Sequence, residues 1–182
     1  MGSAMSSLRR FLGLRPEPRD PAEAETETVR RIAARLDALD PQVAKYLAAF
    51  AYVLARVAHA DLEIDASETQ EMQQILQEVG RLPEDEAVLA VEIAKSQARI
   101  LGGTENYVVT REFRRVSSPE QRARLLECLY AVAAADGSIS SVEAQEIQSI
   151  ADELGFTRDE ANALRSRYRD RLAVFQKGGA ER

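Results

Sequence analysis

The sequence has little of what most catalytic chemistry needs. Its 182 residues include one cysteine, Cys128, one histidine, His59, and no tryptophan. A lone cysteine excludes a disulfide within the chain and leans the reading toward the cytosol. Cys128 sits in the apolar run LLECLYAVAAA and reads as a small buried hydrophobe. His59 lies on a nearly all-apolar helical stretch and reads as a core or rim histidine, not a general base. There is no Gly-rich phosphate cradle, nucleophile elbow or HExxH. The chain is therefore not expected to be an enzyme. The one enzymatic reading left is a metal-dependent hydrolase, and it needs a cleft lined by carboxylates.

Other absences narrow the class further. No apolar run approaches the roughly 18 residues of a membrane span. A net charge of −6 argues against general binding to a nucleic-acid backbone, which takes a basic surface. Only 9 glycines and 6 prolines punctuate a chain that is 45% apolar and 30% charged, a soluble helical composition long enough for one core.

What is present is a duplication. With a constant offset, VAHADLEIDASETQEMQQIL (Val57–Leu76) matches VAAADGSISSVEAQEIQSIA (Val132–Ala151) at 10 of 20 positions. The shared residues include Asp61/Asp136, Ile64/Ile139, Glu68/Glu143, Gln70/Gln145 and Glu71/Glu146, with Glu78/Glu153 and Gly80/Gly155 downstream. Self-similarity of this kind sets the architecture, here a helix–acidic loop–helix unit used twice. Two such units are expected to pack about a pseudo-two-fold axis, with their central helices together.

Around the repeat every periodic stretch reads as helix, over about 22–39, 42–60, 66–79, 84–101, 105–116, 119–135, 141–154 and 157–175. Asp40-Pro41 and Ser118-Pro119-Glu120-Gln121 are start signals, and Thr157-Arg158-Asp159-Glu160 is a capping box. Gly80 is expected as a left-handed C-cap, and the helix over 141–154 is expected to stop at Gly155. The fold class is all-α, seven to eight helices in one bundle. Residues 22–176 form the domain, after a flexible tail over 1–21 and before a short disordered C-terminus at 177–182. The opening MGSAM reads as a tag remnant ahead of Met5 and is set aside. Within the tail, SSLRRFLGLR is a short basic amphipathic stretch, either an anchor for an anionic membrane or partner groove, or a frayed end.

The acidic loops carry the functional question. The second reads D-G-x-I-S-x-x-E, the back half of the EF-hand pattern, in which Gly makes the sharp turn and the final Glu supplies two oxygens. The positions for the first two carboxylates hold Val132 and Ala134, and in the first loop Val57 and His59. Neither loop alone offers the six to eight oxygens Ca²⁺ takes. Two half-sites facing each other would supply a divalent-cation site: Asp61, Glu63, Asp65 and Glu68 from one, Asp136 and Glu143 from the other. Oxygen-only donors select a hard cation, Ca²⁺ first, over Zn²⁺. The competing reading is local. Ser140-Ser141-Val142-Glu143 and Asp65-Ala66-Ser67-Glu68 are capping boxes, so both glutamates have structural work without any ion.

Two copies of A-D-G/x-x-I-x-x-x-E, separated by helices, resemble the tellurite-resistance TerB-like family. The stretch LYAVAAADGSISSVEAQEIQSIADELGFTRDEANAL is especially similar, and the likeness covers about residues 42–170. The resemblance implies an all-helical domain with acidic residues gathered at one end, tied to divalent-metal binding. It also implies bacterial stress or phage-defence systems and membrane-associated protein partners, hence a cytoplasmic location, peripheral to the inner membrane when so engaged. Carried over residue by residue, the acidic positions are Asp61, Glu68, Asp136 and Glu143. Leu62 departs from the family pattern, which has Gly there. Some membrane-anchored J-domain co-chaperones carry a similar domain, but this chain has no His-Pro-Asp. The reading is a non-enzymatic binding or adaptor module with a divalent cation at its acidic loops. The alternative is a metal-free interaction scaffold recruited to a partner or membrane by its N-terminal tail.

Overall fold

The computed structural model describes residues 21–58, 66–98, 106–135 and 137–172. The amphipathic N-terminal stretch and the C-terminal tail lie outside these residues. The chain divides into two compact units, Met1–Arg31 and Ile32–Arg182. Of the first, residues 21–31 are described, and they are helical.

Eight α-helices stand among the described residues: α1 (Pro21–Asp37), α2 (Pro41–Ala58), α3 (Ala66–Glu78), α4 (Glu84–Ala98), α5 (Asn106–Val116), α6 (Pro119–Ala133), α7 (Ser141–Leu154) and α8 (Arg158–Ser166). A short 3₁₀ turn, Arg169–Arg171, follows. The fold is all-α, as its periodicity requires.

The capping chemistry shows why the helices begin where they do. Asp40 Oδ1 accepts from the amide of Gln42 at 2.8 Å, at the mouth of α2. Ser118 and Gln121 form a reciprocal box at the start of α6, and Thr157 and Glu160 form another at α8.

α2 is the spine. Leu47, Phe50, Ala51, Val53 and Leu54 are fully buried, and the helix packs against α4, α5, α6 and α7. On α4, Ala87, Ala90 and Ala94 are small and wholly buried, which lets a neighbouring helix backbone approach closely. α6, the second copy's counterpart of α2, buries Leu125, Leu126, Cys128 and Leu129. The two central helices touch, as the repeat predicts.

Two sequence expectations are corrected. The last helix stops at Ser166 rather than running to Phe175. Tyr168 stacks on Tyr130 with ring centroids 5.4 Å apart, and the 3₁₀ turn then swings Leu172 into the core. Tertiary packing here overrides helical periodicity.

The second correction concerns Gly80. α7 stops at Gly155, which is left-handed (φ 85°), but Gly80 is not among the positive-φ residues, and Arg81 takes that conformation instead (φ 58°). Gly80 is needed for space. A Cβ there would lie 2.5 Å from the Leu76 carbonyl oxygen and 3.1 Å from Cys128 Sγ. Arg81 thus carries a strain that glycine would not. Arg81→Gly is expected to raise stability by about 0.5–1 kcal/mol, since relief of strain exceeds the added unfolded-state entropy. A urea midpoint equal to or below wild type would show that Arg81 is not strained.

Candidate functional site

The second acidic loop is a built turn. α6 ends at Ala133, and Gly137 donates back to the Ala134 carbonyl at 3.0 Å. Gly137 sits at φ 103° with open space where a Cβ would be, so glycine is required by backbone angle and not by crowding. Two residues on, Ile139 is buried and its amide donates to the Arg171 carbonyl at 2.7 Å. This makes a parallel bridge between Ile139 and Leu172. Ser140 then caps α7. The Glu143 amide donates to Ser140 Oγ at 3.2 Å, and the Ser140 amide donates to Glu143 Oε2 at 2.8 Å. Turn, plug and exit helix follow the order that D-G-x-I-S-x-x-E prescribes.

Of the six acidic candidates, Glu143 and Glu68 have described side chains. Glu143 is half-buried, and Glu68 is exposed in the first turn of α3. Asp61, Glu63, Asp65 and Asp136 lie outside the described residues, and so does His59. Both helices that leave the loops, α3 and α7, pack against α6. Among the described residues no group of three or more His, Cys, Asp or Glu side chains is placed to hold a metal. Beside the second loop lies a recess of roughly 260 Å³, lined by Ile139, Ser140, Ala144, Gln148, Arg165 and Leu172. Cys128 offers no chemistry there, because burial first and Glu127 second push its thiol up to about 12.

The sequence reading missed a polar network in the interior. Arg56, in the last turn of α2, has a side chain only 5% exposed. Its Nε donates to Glu146 Oε1 at 2.8 Å, and its Nη1 donates to Glu153 Oε2 at 2.7 Å and to Thr110 Oγ1 at 2.6 Å. Burial alone lowers the Arg56 pKa, but bonds to Glu153 and Glu146 outweigh it and hold the value above normal. Burial likewise works to raise the Glu153 carboxyl, and Arg56 outweighs it, leaving that carboxyl below its ordinary value. The guanidinium therefore ties α2, α5 and α7 together, joining the helix that enters the first loop to the helix that leaves the second. A signal was available: an arginine within an otherwise apolar helix must find partners. The repeat pairs Glu71/Glu146 and Glu78/Glu153 marked the acceptors, while position 131, opposite Arg56, is Ala.

The sequence model of a known family settles the kinship. The tellurite resistance protein TerB model matches residues 47–166, from within α2 to the last residue of α8. The chain belongs to the TerB family. No curated protein and no solved structure matches it. The TerB region takes in both acidic loops and the Arg56 network, and leaves α1 outside. Among the described residues no helix is long and apolar enough to cross a membrane.

Proposed function

We propose that this TerB-family chain is a non-enzymatic binding module that holds a divalent cation, Ca²⁺ by the nature of its donors, at the two acidic loops. The acidic end then serves as an adaptor surface for protein partners in a bacterial stress or defence-associated assembly. The observation that carries this is the second loop. Gly137 at positive φ, Ile139 locked into the core and Glu143 in the first helical turn present the half-loop an EF-hand-like ligand set needs. Asp136 and Glu143 are its donors in this reading, with Asp61 and Glu68, then Glu63 and Asp65, completing the shell from the first loop. All are carboxylates, which fits a hard cation. Bound there, the ion would neutralise mutually repelling carboxylates and fix the relative positions of two loops.

A second reading has its own support. Glu143 Oε2 already accepts the Ser140 amide, so this carboxylate has a local capping role without any ion. In that reading the glutamates cap helices only, and the N-terminal tail recruits a metal-free scaffold.

Thermal unfolding after chelation, with Ca²⁺ added back and Mg²⁺ as control, separates the two. An ion at a hundred times its dissociation constant adds about 2.7 kcal/mol, a rise of roughly 5–10 °C for a chain of this length. Wild type is expected to respond and Asp136→Asn to lose the response. Identical midpoints with and without Ca²⁺ would leave the carboxylates as caps.

A further inference from the structure

We propose that the outward face of α5 is a contact site for an anionic lipid bilayer. The helix is sharply two-sided. Thr110 and Phe113 are fully buried on one side, while Tyr107 and Val108 are 57% and 58% exposed on the other. Exposed with them are Arg111 and Arg115, while the Arg114 guanidinium lies over Gly155 at the end of α7. The Arg111 guanidinium stands 5.8 Å from the centre of the Tyr107 ring, and Arg115 pairs with Glu112 at 2.6 Å. Lys45, from α2, also acts on Glu112, whose carboxyl is held low by Arg115 above all and by Lys45 and Arg111 besides. Three cations, Arg115, Lys45 and Arg111, thus act on one carboxylate on a chain whose net charge is −6.

That combination fits lipid phosphate better than the alternatives. Guanidinium groups bind phosphate through paired hydrogen bonds, and a tyrosine belongs where an apolar body meets a wet headgroup layer. Val108 supplies a short apolar contact for the acyl boundary. The outward side of a helix is convex, so it lies against a broad surface and does not enclose a peptide. Acidic residues elsewhere on the chain do not forbid the approach, since charges more than about 8 Å away are screened at physiological salt. The site is independent of the cation reading and of the N-terminal stretch.

The test is sedimentation of the full chain with vesicles, one set of equal parts phosphatidylglycerol and phosphatidylcholine, the other of phosphatidylcholine alone. Binding is expected to the anionic set only, and to weaken at high salt. Each cation near such a surface is worth about a fivefold change in partitioning. Because Arg115 is shared with Glu112, Arg111→Gln with Arg115→Gln is expected to weaken binding about tenfold. Val108→Ser, which leaves the charges alone, should weaken it about threefold. These positions are exposed, so unfolding midpoints should stay at the wild-type value. Arg9→Gln with Arg10→Gln, in the N-terminal stretch, isolates any binding by the tail. The proposal fails if wild type ignores the anionic vesicles or binds both sets equally. It also fails if the α5 variants bind like wild type, including the case where only the tail variant loses binding.

Discussion

Arg56→Ala is expected to lower the stability of the chain by about 3–5 kcal/mol, the usual effect of removing one partner from a buried ion pair. For a domain of this size that is a fall of roughly 10 °C or more in the unfolding midpoint. The loss comes less from the attraction given up than from what is left behind. Glu153 is only 15% exposed and would keep its charge with no guanidinium, and Thr110 would lose its bond to Arg56 at full burial. Glu146, at 33% exposure, can turn to water and should matter less. Arg56→Lys keeps the charge but not the fork that reaches Glu146, Glu153 and Thr110 together, so a loss of about 1–2 kcal/mol is expected. A double-mutant cycle with Glu153→Gln should show coupling of about 1 kcal/mol or more. Acid should reproduce the effect. The Glu153 carboxyl titrates below its ordinary 4.5 in the folded chain, so its contribution is complete above that pH and disappears as the pH falls through the lower folded value. Wild type should therefore lose more stability than Arg56→Ala between about pH 5 and pH 3. Parallel acid curves, or a loss under about 1 kcal/mol for Arg56→Ala, would mean the network is energetically idle.

Phe113→Ala should be comparably damaging, at about 3–5 kcal/mol. Phe113 is the peg that holds α5 to the spine. Its ring lies 5.3 Å from that of Tyr46 and 6.1 Å, edge-on, from that of Phe50, both on α2. Alanine removes the apolar burial and leaves a cavity between two helices that cannot fully collapse, because Thr110 is held one turn away by Arg56. Phe113→Leu, which fills most of the volume, should lose less than about 1.5 kcal/mol. An optical probe sits beside the site. Burial above all, then the neighbouring Cys128, pushes the Tyr46 hydroxyl up to about 12. Water admitted by Phe113→Ala should bring that titration down toward the ordinary 10.0. If Tyr46 titrates as in wild type while stability falls, the cavity has closed and the ring contacts are not what shields it. Arg56→Ala and Phe113→Ala act on the same helix, so their effects should not add.

Local chemistry was legible in the sequence, and long-range chemistry was not. Ser118, Ser140 and Thr157 announce their capping boxes within four consecutive residues, and each box forms. The repeat likewise placed the two central helices in contact. By contrast, Arg56 finds Glu146 and Glu153 across some ninety positions, a distance at which spacing carries no information. Gly80 misled because glycine has two uses at a helix end, a permitted angle and a missing Cβ, and the sequence does not say which. The end of α8 misled because Tyr168 and Leu172 fit helical spacing but are claimed by Tyr130 and Ile139. The candidate site divides in the same way. Gly137 turns and Ile139 is buried as their motif requires, and Glu143 forms its capping box, whereas the partnership of the two loops depends on Asp61 and Asp136, outside the described residues.

The bridge between Ile139 and Leu172 bears on the order of events during synthesis. The second loop leaves the ribosome before the backbone that completes it, because Arg171 and Leu172 emerge only after α7 and α8 have been made. At about 5–20 residues per second the wait is a few seconds. During it Ile139 has no carbonyl for its amide and Leu172 offers no cover. The capping box at Ser140 is local and forms at once, so it keeps the start of α7 in place until the clasp closes. A loop finished so late is a checkpoint: the second loop gains its backbone clasp only once Leu172, the last core residue among those described, has arrived.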